Sequence, residues 1–100
     1  MMRRNKIGII GGGNMGQAIL NAGLKNKNLD FLICEKRREA IQEIKKRFGR
    51  YLDIEFKDIY ELVLNSEVVI LAVKPQDIKM VLQKISHRLK LSKKNLLIIS

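Results

Sequence analysis

Three glycines near the start of the chain have the spacing of a phosphate-binding turn. Gly11, Gly13 and Gly16 form a G-x-G-x-x-G pattern directly after an apolar run, residues 7–10, which predicts a buried strand. The first glycine suits a tight turn, the second lets backbone amides approach a pyrophosphate, and the third lets the next helix lie close to the sheet. The helix N-terminus adds unpaired amides and the positive end of the helix dipole. The pattern therefore predicts a dinucleotide site, and the alternative is a glycine-rich turn without a ligand.

A second candidate group follows the next apolar run, residues 31–34. Glu35 lies nineteen positions after Gly16, close to the spacing at which an acid holds the ribose hydroxyls of adenosine. Three cations, Lys36, Arg37 and Arg38, come next, and a basic residue there can hold the 2′-phosphate of NADP. Pairing of Glu35 with one of these cations would weaken its preference for NAD. We expect NADP and NAD both to bind, with a modest preference for NADP, unless the cations are only a solvated helix start.

A third candidate group lies at residues 72–75, where an unbroken apolar run, residues 68–72, ends. Such a run is typical of a central parallel strand. Pro75 ends it, because the residue before proline is disfavoured in a helix while proline itself suits the first helical turn. Ligands bind at the carboxyl ends of the strands in open α/β sheets, so we expect this segment to face the glycines. Lys74 is the candidate functional side chain here, unless its position matters mainly through its backbone.

The remainder of the chain alternates predicted strands and helices. The helices are predicted to run from the glycines to Gly23, over residues 38–48, from Asp58 through Leu64, and from Pro75 past Leu89; further strands are predicted at residues 51–56 and 96–99. This alternation predicts an α/β fold, a Rossmann-like doubly wound parallel sheet of about five strands in the order 3-2-1-4-5, ending at the fifth strand. Residues 51–56 alternate polar and apolar side chains and are expected nearer the sheet edge.

Helical spacing of apolar residues predicts the faces that pack on the sheet. The three predicted stripes are Met15, Ala18, Ile19 and Ala22 in the first helix, Ile41, Ile44 and Phe48 in the second, and Ile78, Val81, Leu82, Ile85 and Leu89 in the last.

Two segments together resemble a known family. GGGNMG at residues 11–16 and VVILAVKPQD at residues 68–77 are similar to the N-terminal domain of pyrroline-5-carboxylate reductase, which reduces a cyclic imine acid to proline with a nicotinamide cofactor. The glycines would also suit β-hydroxyacid dehydrogenases, and A-V-K-P-Q at residues 72–76 separates the two. The resemblance covers essentially the whole chain and implies that residues 72–75 line the nicotinamide half of the cofactor. The cofactor-binding residues predicted from motif and resemblance are Gly11, Gly12, Gly13, Asn14, Met15, Gly16, Glu35, Lys36, Arg37, Ala72, Val73, Lys74 and Pro75.

The chain departs from this family at two points. Where the family often carries an asparagine that contacts the cofactor ribose, this chain has Asp58 and Ile59, so neither is assigned a binding role. The family also continues, beyond the strand that begins at Leu96, into a helical domain that dimerises, completes the substrate pocket and supplies a proton donor. We therefore expect residues 1–100 to form one NAD(P)-binding domain without a catalytic residue of its own, and a poor enzyme if they are the whole polypeptide.

Charge and composition bound the other function classes. The formal net charge is +10, from 20 Lys and Arg against 10 Asp and Glu, and such a surface attracts anions such as nucleotides. A nucleic-acid binder is the less favoured interpretation, because the five aromatic residues are not interleaved with the basic clusters and no nucleic-acid motif is present. We recognise no metal-ligand or nucleophile–base group. His87 is expected at the surface, and Cys34 is expected to be a small buried residue of the second strand.

The 100 residues, 46% of them hydrophobic, suit one domain with one modest core. The sequence has no apolar stretch of the roughly eighteen residues that span a bilayer and no signal-peptide core, so we expect a cytoplasmic protein without a membrane partner. Two hypotheses remain: the cofactor domain of an NAD(P)-dependent oxidoreductase acting on a carbon–nitrogen double bond, and a truncated, non-catalytic nucleotide-binding module. An imine substrate is expected only with the missing domain, and an oligomer is left open.

Overall fold

A computed structural model of the chain describes residues 5–49, 54–92 and 97–99. Within these ranges strands and helices alternate, as predicted. The strands are β1 (Asn5–Ile10), β2 (Leu29–Cys34), β3 (Ile54–Phe56), β4 (Val68–Leu71) and β5 (Leu97–Ile99), and the helices are α1 (Asn14–Gly23), α2 (Arg38–Phe48), α3 (Ile59–Asn65) and α4 (Pro75–Ser92). Residues 51–53 of the predicted third strand and Leu96 lie outside the described ranges.

The strands form one parallel sheet in the order β3-β2-β1-β4-β5. This confirms the predicted strand order and the doubly wound, Rossmann-like class. β1 lies at the centre, where Ile9 pairs with Ile33 of β2 on one side and Ile70 of β4 on the other. β3 is an edge strand, as its alternating sequence predicted. The carboxyl ends of β1, β2 and β4 therefore lie side by side.

Two apolar clusters cover the two faces of the sheet. Successive strand residues point to opposite faces, so Ile9 and Ile10 belong to different clusters. Helices α1 and α2 cover one face and helices α3 and α4 the other. The buried members are Ile9, Leu20, Phe31, Ile33, Ile44 and Phe48 on the first face, and Ile10, Leu32, Leu62, Val63, Val69, Leu71, Val81 and Ile85 on the second.

The apolar stripe predicted for α1 is wrong. Met15 is 64% exposed, and Ala18 and Ala22 are also exposed, while Ile19 is only partly buried. The buried apolar side chain of this helix is Leu20. The face that packs on the sheet is therefore rotated away from the predicted one.

Glycines explain this rotation of α1. A Cβ on Gly16 would overlap the carbonyl oxygen of Gly11, and a Cβ on Gly23 would overlap the ring of Phe31. Gly16, Leu20 and Gly23 follow helical spacing, so one face of α1 carries two residues whose lack of a side chain lets the helix lie close to the sheet. A count of apolar side chains does not register glycines that serve this purpose.

The other helices largely follow their predicted patterns. In α2 Ile44 and Phe48 are buried, and in α4 Val81 and Ile85 are buried. Leu82 departs from the predicted stripe, since it is 40% exposed on the outer side of α4. The side chain of Leu89, also in that stripe, lies outside the described part of the chain.

Asp58 caps α3 as predicted, because its Oδ1 accepts a 2.8 Å hydrogen bond from the amide of Glu61. None of the helices in the described ranges is both long and apolar enough to cross a membrane.

Candidate functional site

The glycine turn, residues 11–13, connects β1 to α1 in contact with the end of β4. Gly11 has φ +113°, a left-handed conformation that side chains rarely adopt. A Cβ there would overlap the carbonyl oxygen of Ala72. Backbone hydrogen bonds fix the turn on both sides, since Gly11 N donates to Cys34 O at 2.9 Å and Ala72 N donates to Ile10 O at 2.8 Å. The predicted meeting of the two segments at the central crevice is confirmed.

The N-terminus of α1 presents unpaired backbone amides beside this turn. Gly13 is the N-cap, has an extended conformation and supplies no capping side chain. Its carbonyl accepts the first helical bond, from the amide of Gln17 at 2.9 Å. The amides of the three residues between them precede the first helical hydrogen bond and have no carbonyl partner within the helix. With the helix dipole, these amides are suited to phosphate oxygens.

Gly12 is held by side chains at both its amide and its carbonyl. Its N–H donates to Glu35 Oε1 at 2.7 Å. Its carbonyl accepts from Gln17 Nε2 at 3.1 Å, and Gln17 Oε1 in turn accepts from Arg47 Nη1 at 3.2 Å. The protein itself therefore fixes the conformation of the glycine turn.

Glu35, at the end of β2, lies beneath Arg37. Its Oε2 accepts from the Arg37 amide at 2.9 Å, and its Oε1 lies 3.2 Å from Arg37 Nη2. Only 8% of the Glu35 side chain is exposed, compared with 59% of the Arg37 side chain. The guanidinium also borders the glycine turn, since a Cβ on Gly13 would lie 3.1 Å from Arg37 Nη2. At this end of the crevice the Arg37 guanidinium is therefore exposed to solvent and covers the Glu35 carboxylate.

The electrostatics of Glu35 follow from these contacts. Burial acts to raise the pKa of its carboxyl, but hydrogen bonds from the Arg37 side chain and from the amides of Arg37 and Gly12 outweigh burial and hold the pKa below its usual value. Glu35 is therefore a carboxylate at neutral pH. Its two oxygens already accept bonds from Gly12 and Arg37, so the pairing with a cation that the sequence allowed is the arrangement found.

The other predicted site residues surround this centre. Asn14, Met15 and Lys36 are exposed at its rim. After β4, Ala72 and Val73 are partly buried and their backbone lies beside Gly11, whereas Lys74 and Pro75 are exposed. The structure thus brings the three predicted groups to one end of the sheet.

Two residues in the network escaped the sequence analysis, Gln17 and Arg47. The signal available was a glutamine directly after the third glycine, three positions before the buried Leu20, but its partner lies thirty positions away in α2. Cys34 is only partly exposed, less buried than expected, and burial raises the pKa of its thiol. His87 is exposed on α4, as expected.

A parallel doubly wound sheet with a glycine turn and a free helix N-terminus at its central crevice defines a nucleotide-binding domain of the Rossmann-like class. Residues 6–100 match the family described as NADP oxidoreductase, coenzyme F420-dependent, and the chain belongs to this family.

Individual relatives agree with the resemblance found in the sequence. The chain is 38% identical over 81 residues to pyrroline-5-carboxylate reductase of Aquifex aeolicus (strain VF5), a match that covers 80% of this chain and 29% of that protein. The crystal structure of 1-pyrroline-5-carboxylate reductase from Streptococcus pyogenes superposes with a TM-score of 0.61 at 32% identity, over 79% of this chain and 29% of that chain. The chain thus spans less than a third of the length of these relatives.

More distant structures share the fold alone. Plasmodium falciparum pyrroline carboxylate reductase, solved with NADP bound, gives a TM-score of 0.66 at 21% identity, over 98% of this chain and 34% of that chain. Lactate dehydrogenase of Cryptosporidium parvum, solved with lactic acid and nicotinamide adenine dinucleotide, gives 0.68 at 20% identity, over 98% of this chain and 37% of that chain.

Proposed function

We propose that this domain binds a nicotinamide dinucleotide, with its pyrophosphate on the glycine turn and the N-terminus of α1. The observation that carries the proposal is the fixed glycine turn beside an uncapped helix start. Gly11 excludes a side chain at the contact with Ala72, and Gly13 leaves open the space in which a Cβ would approach Arg37. The chain supplies amide donors and a positive field there, and the bound dinucleotide would supply the hydride.

The contacts at the end of β2 favour NADP over NAD. A free carboxylate beside the ribose would repel a 2′-phosphate, but the charge of Glu35 is covered by Arg37. The exposed guanidinium keeps donors for a phosphate, and its planar fork suits phosphate oxygens. The family description names NADP, and the Plasmodium falciparum relative was solved with NADP bound. We therefore place the 2′-phosphate beside Arg37, with Lys36 adding positive charge.

The reaction we propose is the reduction of 1-pyrroline-5-carboxylate to proline, in which this domain provides the cofactor site. Support comes from the two relatives named for that reductase at 38% and 32% identity. Residues 72–75 would line the nicotinamide half of the site. We assign the contacts to the imine, and the group that donates a proton to it, to a further domain, because these relatives are longer than this chain. A cytoplasmic location remains a prediction from the sequence.

Calorimetric titration of the chain with NADP and with NAD tests the proposal. We expect one site per chain and a smaller Kd for NADP. Replacing Arg37 with alanine should raise the Kd for NADP about tenfold, because a charge-assisted phosphate contact is lost, and should leave the Kd for NAD within about twofold. Arg38→Ala is the matched control, since Arg38 is the neighbouring exposed arginine. A chain that binds neither NADP nor NAD would overturn the proposal. A smaller Kd for NAD than for NADP, unchanged in Arg37→Ala, would overturn the NADP preference.

A further inference from the structure

Gln17 is an unusual residue for the inner face of a helix. It is 3% exposed, and it and Ser66 are the buried polar side chains in the described ranges. Ser66, the residue directly after α3, is satisfied locally, because its hydroxyl donates to the carbonyl of Leu62 one turn earlier. A buried amide is costly unless its donors and acceptor are bonded. Gln17 meets this cost by joining two elements, the glycine turn and α2.

Arg47 determines which way the Gln17 amide faces. An amide side chain has a donor end and an acceptor end that can exchange by rotation, whereas a guanidinium can only donate. Because Arg47 Nη1 donates to Gln17 at 3.2 Å, the acceptor end must be Oε1. Nε2 is thereby turned toward the carbonyl of Gly12, at 3.1 Å. The arginine thus acts as a brace on the glutamine.

The position of the Gly12 carbonyl in turn sets the direction of the next amide. The described peptide bonds are trans, so the N–H of Gly13 points away from the Gly12 carbonyl with which it shares a peptide plane. The carbonyl is drawn toward the buried Gln17. The Gly13 N–H is therefore directed to the side away from Gln17.

We propose that Gln17, braced by Arg47, is a positioning residue that holds the Gly12–Gly13 peptide so that the Gly13 amide faces the pyrophosphate. This inference rests on the proposed function. Glu35 fixes the preceding peptide plane through the amide of Gly12. Gln17 fixes the plane that carries the phosphate donor.

Gln17→Glu separates the two contacts of the glutamine. The variant keeps the size of the side chain and an acceptor for Arg47, but its carboxylate has no hydrogen to donate to the Gly12 carbonyl. Gln42→Glu is the matched control, because Gln42 is an exposed glutamine of α2 and the change in charge is the same. We expect Gln17→Glu to raise the Kd for NADP and for NAD by the same factor, about tenfold, since both carry the pyrophosphate. The control should stay within about twofold.

A spectroscopic measurement distinguishes positioning from general damage to the fold. In ¹⁵N-labelled parent chain, saturating NADP should shift the amide proton of Gly13 downfield, as expected when a phosphate oxygen accepts from it. Gln17→Glu should reduce this shift while the shifts of the Lys36 and Arg37 amides persist. Thermal unfolding of both variants verifies that they are folded at the temperature of the titration.

The outcomes separate the two proposals. A parent chain that binds neither dinucleotide removes the proposed function, and the inference with it. A parent that binds and a Gln17→Glu variant that binds equally well, with an unchanged Gly13 shift, overturns the inference alone. Should Gln17→Glu fail to fold, Arg47→Met provides the test at an exposed residue: loss of the brace is expected to weaken both dinucleotides about threefold, and unchanged binding would contradict the inference.

Discussion

A glutamate directly after β2 can either bind the cofactor ribose or accept hydrogen bonds from neighbouring protein groups, and Glu35 illustrates this choice. Its place at the end of β2 is that of a ribose-binding acid, and its spacing from Gly16 predicted that role. In the structure its oxygens accept from the Gly12 amide and from Arg37 instead. The spacing places Glu35 directly after β2, but the choice between ribose and arginine depends on side-chain contacts across the crevice.

The lowered pKa of Glu35 predicts how stability depends on pH. In an unfolded chain the pKa of a glutamate is about 4.3. In the folded chain the hydrogen bonds from Arg37 and Gly12 outweigh the effect of burial and place the pKa of Glu35 below its usual value. The carboxylate therefore stabilises the fold above the unfolded pKa, and this contribution is lost as the pH falls through the folded pKa. Urea unfolding over a pH series should show part of the acid loss of stability disappear in Glu35→Gln. In the control Glu43→Gln, at an exposed position of α2, the acid loss of stability should be the same as in the parent. Equal pH profiles for the parent and Glu35→Gln would contradict the assignment.

Among the strands and helices, the sequence predicted the strands well and the inner face of α1 poorly. The unbroken run at β4 and the Lys74–Pro75 stop indicated a central strand followed by a helix, because local chemistry determines both. The face of α1 is set instead by the close approach of Gly16 to Gly11, a contact between backbones. The predicted stripe of α1 included Met15, which is exposed, because the pattern counted apolar side chains and left out the glycines. The Gln17–Arg47 bond joins α1 and α2 and has no local signature.

The N-terminus of α1 offers a contrast between two glycines. Gly13 has φ −81°, which any residue adopts, and an added Cβ would approach only the mobile end of Arg37. Gly13→Val should therefore raise the Kd for NADP at least about tenfold by obstructing the phosphates, with little change in melting temperature.

The comparison variant is Gly16→Ala, whose Cβ would overlap the backbone of Gly11. It should destabilise the chain by about 1–3 kcal/mol, measured by urea unfolding. Unchanged NADP affinity in a folded Gly13→Val chain would remove the glycine motif from the proposed site.

The described ranges as a whole bring the residues of the proposed cofactor site together at the ends of three neighbouring strands. The net charge of +10 adds a field that draws a polyanionic cofactor toward it. The relatives are longer, and the chain spans 29% of the Aquifex aeolicus reductase. We therefore expect this chain to bind the cofactor without turning over the substrate.

Residues 1–100 alone should bind NADP but should not reduce 1-pyrroline-5-carboxylate at a useful rate. Hydride transfer needs donor and acceptor held near contact distance, and the imine contacts are assigned to a further domain. A steady-state assay that follows NADPH oxidation by the purified 100-residue chain measures this. A boiled sample and the Gly13→Val chain serve as controls for background oxidation. Turnover that depends on an intact glycine turn would mean that these residues complete the active site, alone or by assembly of several copies.

The double attachment of Gly12 affects where the entropy of the site is lost. A glycine has more backbone freedom to lose than any other residue, and fixing one residue costs about 1–2 kcal/mol. Since Glu35 and Gln17 already hold its amide and carbonyl, Gly12 loses this freedom when the chain folds. A dinucleotide then meets a turn that needs no further ordering at this residue. The entropy cost at Gly12 therefore lowers the folding stability of the chain, and binding of a dinucleotide does not incur that cost again.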